Sequence, residues 1–214
     1  MLYTEAFPEV ASQIPQVPDF AAELAFARAV RLFATESEAM REEVTGINVV
    51  SGQNQYTYTI AATDMVTHKI HSMVYTEANN SYKLHPATHK FSVTQLGYKL
   101  YDTAMPKFFI HAIGNAFQLM PYPNLTVNDA IRVQVSLRPT RTATSIPDTY
   151  ADRFLDTWVA GTCAELARVP DSEFYNPKIY TMFEEKFQYG ILQAKKEASG
   201  ADRAVPRKVK YGGL

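Results

Sequence analysis

The sequence predicts an α+β fold: a three-helix bundle, made of one N-terminal helix and a C-terminal antiparallel helix pair, with an inserted antiparallel β domain and extended termini. Three observations predict it. Residues 20–43 and 148–198 carry apolar side chains at helical spacing. Residues 44–140 are instead rich in β-branched and aromatic residues and punctuated by turn residues. The first helix also exposes an apolar stripe that nothing adjacent in sequence covers, so it needs the late helices as partners. The expected boundaries are an extended arm over 1–18, a helical bundle from 19–43 and 146–199, a β domain over 44–140, and an extended basic tail over 200–214.

Pro8, Pro15 and Pro18, with no periodic pattern between them, suggest the extended arm. Asp19 after Pro18 can cap the first turn of a helix that runs to about Glu43. Its apolar stripe is Phe26, Val30, Phe33 and Met40, and Gly46 ends the segment. Val49-Val50, the turn residues 51–54 and Tyr56–Ile60 read as strand, turn, strand; residues 66–76 follow as another strand, and Asn79-Asn80 as a turn. Ser92–Tyr101 reads as a short helix. Lys107–Ala112 and Ala116–Met120 flank Gly114-Asn115, which tolerate the positive φ of a tight hairpin, and Pro121-Tyr122-Pro123 stops the pairing. Ile131, Val133, Val135 and Leu137 alternate with polar residues in the cleanest strand of the chain. A helix opens at Asp148 with Phe154, Leu155, Trp158, Val159, Thr162 and Leu166 on its apolar face. Asn176-Pro177 then starts the last helix, with Ile179, Phe183, Phe187, Ile191 and Ala194 inward and Gly200 as its C-cap.

Composition excludes several classes. With 214 residues the chain buries roughly 70% of its unfolded surface and needs no metal or disulfide to hold a core. One cysteine, Cys163, cannot build a disulfide framework or a multi-cysteine zinc site. The nine glycines form neither GxGxxG nor a phosphate-cradling Gly-Lys-Ser/Thr loop. The first ten residues do not resemble a signal peptide, and the two longest uncharged stretches hold too many Asn, Gln, Thr and Pro for a bilayer, so a protein of a reducing cytoplasm without a membrane anchor is expected. Net charge is −1, yet residues 195–214 hold 6 bases against 2 acids. A neutral body with a basic end suits a tail that seeks an acidic partner better than a sequence-specific DNA binder.

No catalytic constellation stands out, so an enzyme is not expected, nor any metal or cofactor. His85-x-x-x-His89 has a metal-ligand spacing for a helix, but Pro86 opposes a helix there. Glu184-Glu185 are helix neighbours that do not face each other and read as a solvated face. Cys163 reads as a small buried hydrophobe. Asp148, Asp152 and Asp156 repeat every fourth residue as an acidic ridge. With the basic strand face Arg132 and Arg138 they are candidate halves of an inter-subunit contact, although a contact within one chain is equally simple. In the tail, Arg203, Arg207, Lys208 and Lys210 bring charge, while Val205, Val209, Tyr211 and Leu214 offer apolar anchors. The segment is expected to be loose until bound.

The ordered set of motifs resembles the head–tail connector (adaptor, or neck) proteins of tailed bacteriophages. The residues carrying the resemblance are Pro18-Asp19-Phe20 and the Val-x-Ser-Gly-Gln-x-x-Tyr stretch at 49–56. With them stand Phe117–Pro123, Leu137-Arg138-Pro139, Tyr150–Leu166 around Gly161, Asn176-Pro177, Phe187 and Gly190. The resemblance covers roughly residues 18–198, with 61–105 matching least. It implies a structural virion protein of the neck, assembled in the host cytoplasm as a homo-oligomeric ring, usually of twelve copies, beneath the portal protein. Such a ring joins the portal to the next tail or nozzle protein and lines the channel for genomic DNA, which it meets without sequence preference. The same resemblance implies that residues 201–214 are the portal-binding element. Another phage tail component, such as a tail-completion or nozzle subunit, and a cytosolic ligand-binding module or enzyme are the alternatives.

Overall fold

The computed structural model describes residues 1–87, 103–170 and 172–201. The fold is α+β, with four α-helices and two four-stranded sheets among the described residues. A short 3-10 turn (Tyr3–Ala6) leads into α1 (Phe7–Gln13) and α2 (Asp19–Ser37). Among the described residues eight strands follow: β1 (Arg41–Val49), β2 (Gln55–Thr57), β3 (Met65–Glu77), β4 (Asn80–Lys83), β5 (His85–Pro86), β6 (Phe108–Ala112), β7 (Ala116–Met120) and β8 (Val127–Pro139). The chain closes its described part with α3 (Asp148–Ala167) and α4 (Pro177–Ala201). Two compact units result, one of Met1–Tyr3 with Met40–Ala151, the other of Thr4–Ala39 with the helical residues from Asp152 onward.

In the β unit the first sheet has the order β1-β8-β3-β4 and is antiparallel throughout. Its centre is β8, whose Ile131, Val133, Val135 and Leu137 are all buried, as the alternation predicts. The second sheet has the order β2-β7-β6-β5, with β6 and β7 forming the predicted hairpin around Gly114, at φ +77°, and β5 running parallel to β6. The turn between β3 and β4 sits at Ala78-Asn79, both at positive φ, which places Asn80 in the strand. A three-residue polar network ties the sheets together. Tyr58 Oη donates to Thr67 Oγ1 at 2.9 Å, and Thr67 Oγ1 donates to Asn115 Oδ1 at 2.9 Å. All three groups would be costly to bury unpaired.

In the helical unit the predicted core forms. Phe26, Val30, Phe33, Phe154, Trp158, Phe183 and Phe187 are all buried. Phe33 lies 4.9 Å from Phe154 and 5.8 Å from Trp158, and Phe26 meets Trp158 edge-on at 6.2 Å. The late helices are antiparallel: Gly161 faces Phe187, Thr157 faces Gly190, and Arg153 reaches Glu197. Asn176 Oδ1 accepts from the N–H groups of Lys178 and Ile179, the expected N-cap ahead of Pro177.

Five expectations need correction. The N-terminal arm is helical rather than extended, because Pro8 falls in the first turn of α1, where its missing N–H costs nothing. The first bundle helix stops at Ser37, not Glu43. Glu38 turns left-handed at φ 51°, and Arg41-Glu42-Glu43 join β1 by pairing with β8. The bundle and β domain accordingly trade places at Ala39/Met40 and Ala151/Asp152 rather than at 43/44 and near 146. The strand expected over Tyr56–Ile60 is only Gln55–Thr57. Helix α4 runs through Gly200 to Ala201 instead of capping there. The expected helix over Ser92–Tyr101 and the tail beyond Ala201 lie outside the described residues.

Candidate functional site

The three aspartates of the acidic ridge lie on α3 at every fourth residue, and Asp148, Asp152 and Asp156 are all exposed. Asp148 is already engaged, accepting from the Met1 amine at the start of the helix. The basic strand face divides. Arg132 is exposed and its Nε lies 3.0 Å from Glu43 Oε1 on the adjacent β1, so much of its charge is answered within the chain. Arg138 is half-buried, with its Nε buried and without a hydrogen-bond partner. Arg132 and Arg138 stand on β8 of the β unit, whereas Asp152 and Asp156 belong to the helical unit. The tail candidates Arg203, Val205, Arg207, Lys208, Val209, Lys210, Tyr211 and Leu214 lie outside the described residues.

A second feature escaped the sequence. Strands β1 and β2 are edge strands of different sheets, and a cleft of about 720 Å³ is lined by Val44–Asn48 and by residues from Gln53 to Thr59. Its floor is fixed. Tyr56 Oη donates to Gln53 O at 2.7 Å and accepts from Val50 N, and its ring stacks on Phe117 at 5.6 Å. Gly46, at φ +79°, donates its N–H to Asp129 Oδ1 at 2.8 Å, and Asp129 N returns the bond to Asn48 Oδ1 at 2.8 Å. Among the described residues no Asp, Glu, Lys, Arg or His lines the cleft. Burial holds the hydroxyls of Tyr56 and Tyr58 protonated above their usual range, against the opposing effect of their hydrogen bonds. Amides, hydroxyls and phenols held protonated suit contact through hydrogen bonds.

Cys163 is fully buried, and burial pushes its thiol up to about 12 even though the Lys186 charge pulls it down. Among the described residues no group of three His, Cys, Asp or Glu is placed to hold a metal ion, and no helix is long and apolar enough to cross a membrane. His89 of the His85-x-x-x-His89 spacing lies outside the described residues, and His85 stands on a strand, tilted over Phe108. The only warning the sequence carried of the cleft was the run of neutral polar residues from Ser51 to Thr59. That β1 and β2 are both edges follows from long-range pairing, which no local pattern encodes.

No protein-family model matches the chain. No curated protein matches it.

Proposed function

We propose that this chain is a head–tail connector subunit of a tailed bacteriophage: a structural protein that assembles in a ring beneath the portal, joins it to the next tail protein and surrounds the exit path of the genome. One observation carries the reading. The motifs of the resemblance, scattered through the sequence, fall at packing contacts and at helix starts. Tyr56, from the stretch 49–56, stacks on Phe117, from the stretch 117–123. Gly161 abuts Phe187. Pro18 O accepts from the N–H groups of Ala21 and Ala22 as α2 begins, and Asn176-Pro177 opens α4. Such residues specify how this fold packs, and a shared pattern at those places supports a shared architecture.

The role is mechanical, so binding surfaces take the place of a reaction centre. The C-terminal segment 201–214 is the portal-binding element in this reading: four basic side chains steer it and Val205, Val209, Tyr211 and Leu214 seat it. Fourteen residues span up to about 45–50 Å when extended, enough to reach across a neighbouring subunit. Deleting residues 201–214 tests this. The folded body survives and attachment to portal-bearing heads is lost; a truncated protein that still docks contradicts the assignment. If Tyr211→Ala is silent while removal of the charges weakens binding in a strongly salt-dependent way, the segment is reading DNA phosphates instead.

A further inference from the structure

Two faces of the helical unit are solvent-exposed and yet patterned like packing seams. On α4 the buried seam is Phe183, Phe187, Ile191 and Ala194. The opposite face carries Lys178, Met182, Glu185, Tyr189, Leu192 and Lys196. These residues step alternately by four and three, the spacing of a helix that packs along a second helix. All six are exposed, Tyr189 at 64% and Leu192 at 63%. On α2 the buried residues include Ala22, Phe26, Ala29, Val30 and Phe33, and the opposite face carries Phe20, Leu24 and Arg28, all exposed, with Arg31 and Thr35 half-buried. Phe20 is exposed at 75% and Leu24 at 53%. A large aromatic and a leucine left in water one turn apart mark a contact surface.

The faces are complementary. Laid antiparallel, Leu24 falls opposite Tyr189, Arg28 opposite Glu185, Arg31 opposite Met182 and Thr35 opposite Lys178, with Phe20 beside Leu192. The steps of four, three and four from Leu24 to Thr35 mirror those from Tyr189 back to Lys178. Apolar meets apolar at one end, a cation meets an anion in the middle, and the alkyl stem of Arg31 lies over Met182. Among the described residues Arg28, Arg31, Lys178 and Glu185 have no ion partner within their own chain. Each face points away from the core its own helix shares with the rest of the unit, so the two cannot meet within one copy.

We infer that the outward face of α2 in one copy packs antiparallel on the outward face of α4 in the next. The contact joins two different surfaces, so it repeats head to tail and either closes into a ring or runs on as a fibre. It rests on the connector reading only for closure. A chain that makes this contact but ignores portal-bearing heads would sink that reading and leave this one standing.

Cross-linking tests it with full-length protein. A Leu24→Cys variant and a Tyr189→Cys variant are oxidised separately and mixed; native Cys163 is buried and stays silent. The mixture is expected to give a disulfide-linked dimer that neither variant forms alone. Folded proteins that yield no mixed dimer, or that cross-link only with themselves, overturn the proposal. Charge reversal gives an independent arm read by sedimentation. Arg28→Glu and Glu185→Arg each weaken self-association roughly tenfold by setting like charges opposite. The double variant restores it; a double variant no better than the single ones also overturns the pairing.

Discussion

Gly190 lies so close to Thr157 that a Cβ at the glycine would come within 2.4 Å of Thr157 Cγ2. One turn along the same crossing, a Cβ at Gly161 would lie 2.7 Å from the ring of Phe187. The two glycines let α3 and α4 approach backbone to side chain, and neither obstacle can yield: the Phe187 ring is buried and Thr157 is stiff at its branch. Gly190→Ala and Gly161→Ala are each expected to destabilise the protein by about 1–3 kcal/mol in urea unfolding. Gly200 provides the contrast. It sits inside α4 with nothing within 4 Å of a Cβ, so Gly200→Ala is expected to stabilise by up to about 1 kcal/mol. Equal effects at all three positions would rule out the close crossing.

Trp158 and Phe187 anchor the helical core, with Trp158 wholly buried among Phe26, Phe33 and Phe154. Truncating either to Ala is expected to cost about 3–5 kcal/mol. A loss below about 1 kcal/mol on chemical denaturation would contradict the packing.

Asn176→Ala removes the acceptor for two N–H groups at the start of α4. The expected loss is about 1 kcal/mol, and Asn176→Asp or Asn176→Ser restores most of it, since either side chain supplies the acceptor.

Tyr75 couples stability to alkaline pH. Burial, then the hydrogen bond to Glu77 and the charge of that carboxylate, raise its hydroxyl from 10.0 to about 12. The folded state therefore holds a proton that the unfolded chain gives up near pH 10. The contribution is complete below pH 10 and drains away as pH rises toward 12. Unfolding free energy measured across that window should fall, and Tyr75→Phe should make the fall shallower. An unchanged slope in the variant would remove Tyr75 from this account.

The helices and the central strand of this fold were legible because their evidence is local. The stripe Phe26, Val30 and Phe33, the cap Asn176-Pro177 and the alternation from Ile131 to Leu137 each specify their own environment. Where the reading failed, distant contacts decided. Arg41-Glu42-Glu43 are good helix formers, but β8 offers an edge for them to pair with, and they become strand. Three prolines suggested an extended arm, although Pro8 is harmless in the opening turn of a helix. Gly200 looked like a cap, yet α4 passes through it. Of the candidate contacts, Asp148 and Arg132 were visible as charges, while their partners Met1 and Glu43 came from other parts of the chain. The outward seams of α2 and α4 were present as spacing, but only the placement of the buried faces reveals that they point to solvent.

The most direct measurement of the central claim is co-sedimentation of the purified full-length chain with DNA-filled, tailless phage heads that carry a portal, beside heads assembled without one. The account predicts saturable attachment to the portal-bearing heads, at one ring of copies per head, and none to the portal-less heads. Protein that stays at the top of the gradient, or that binds both kinds of head alike, contradicts it.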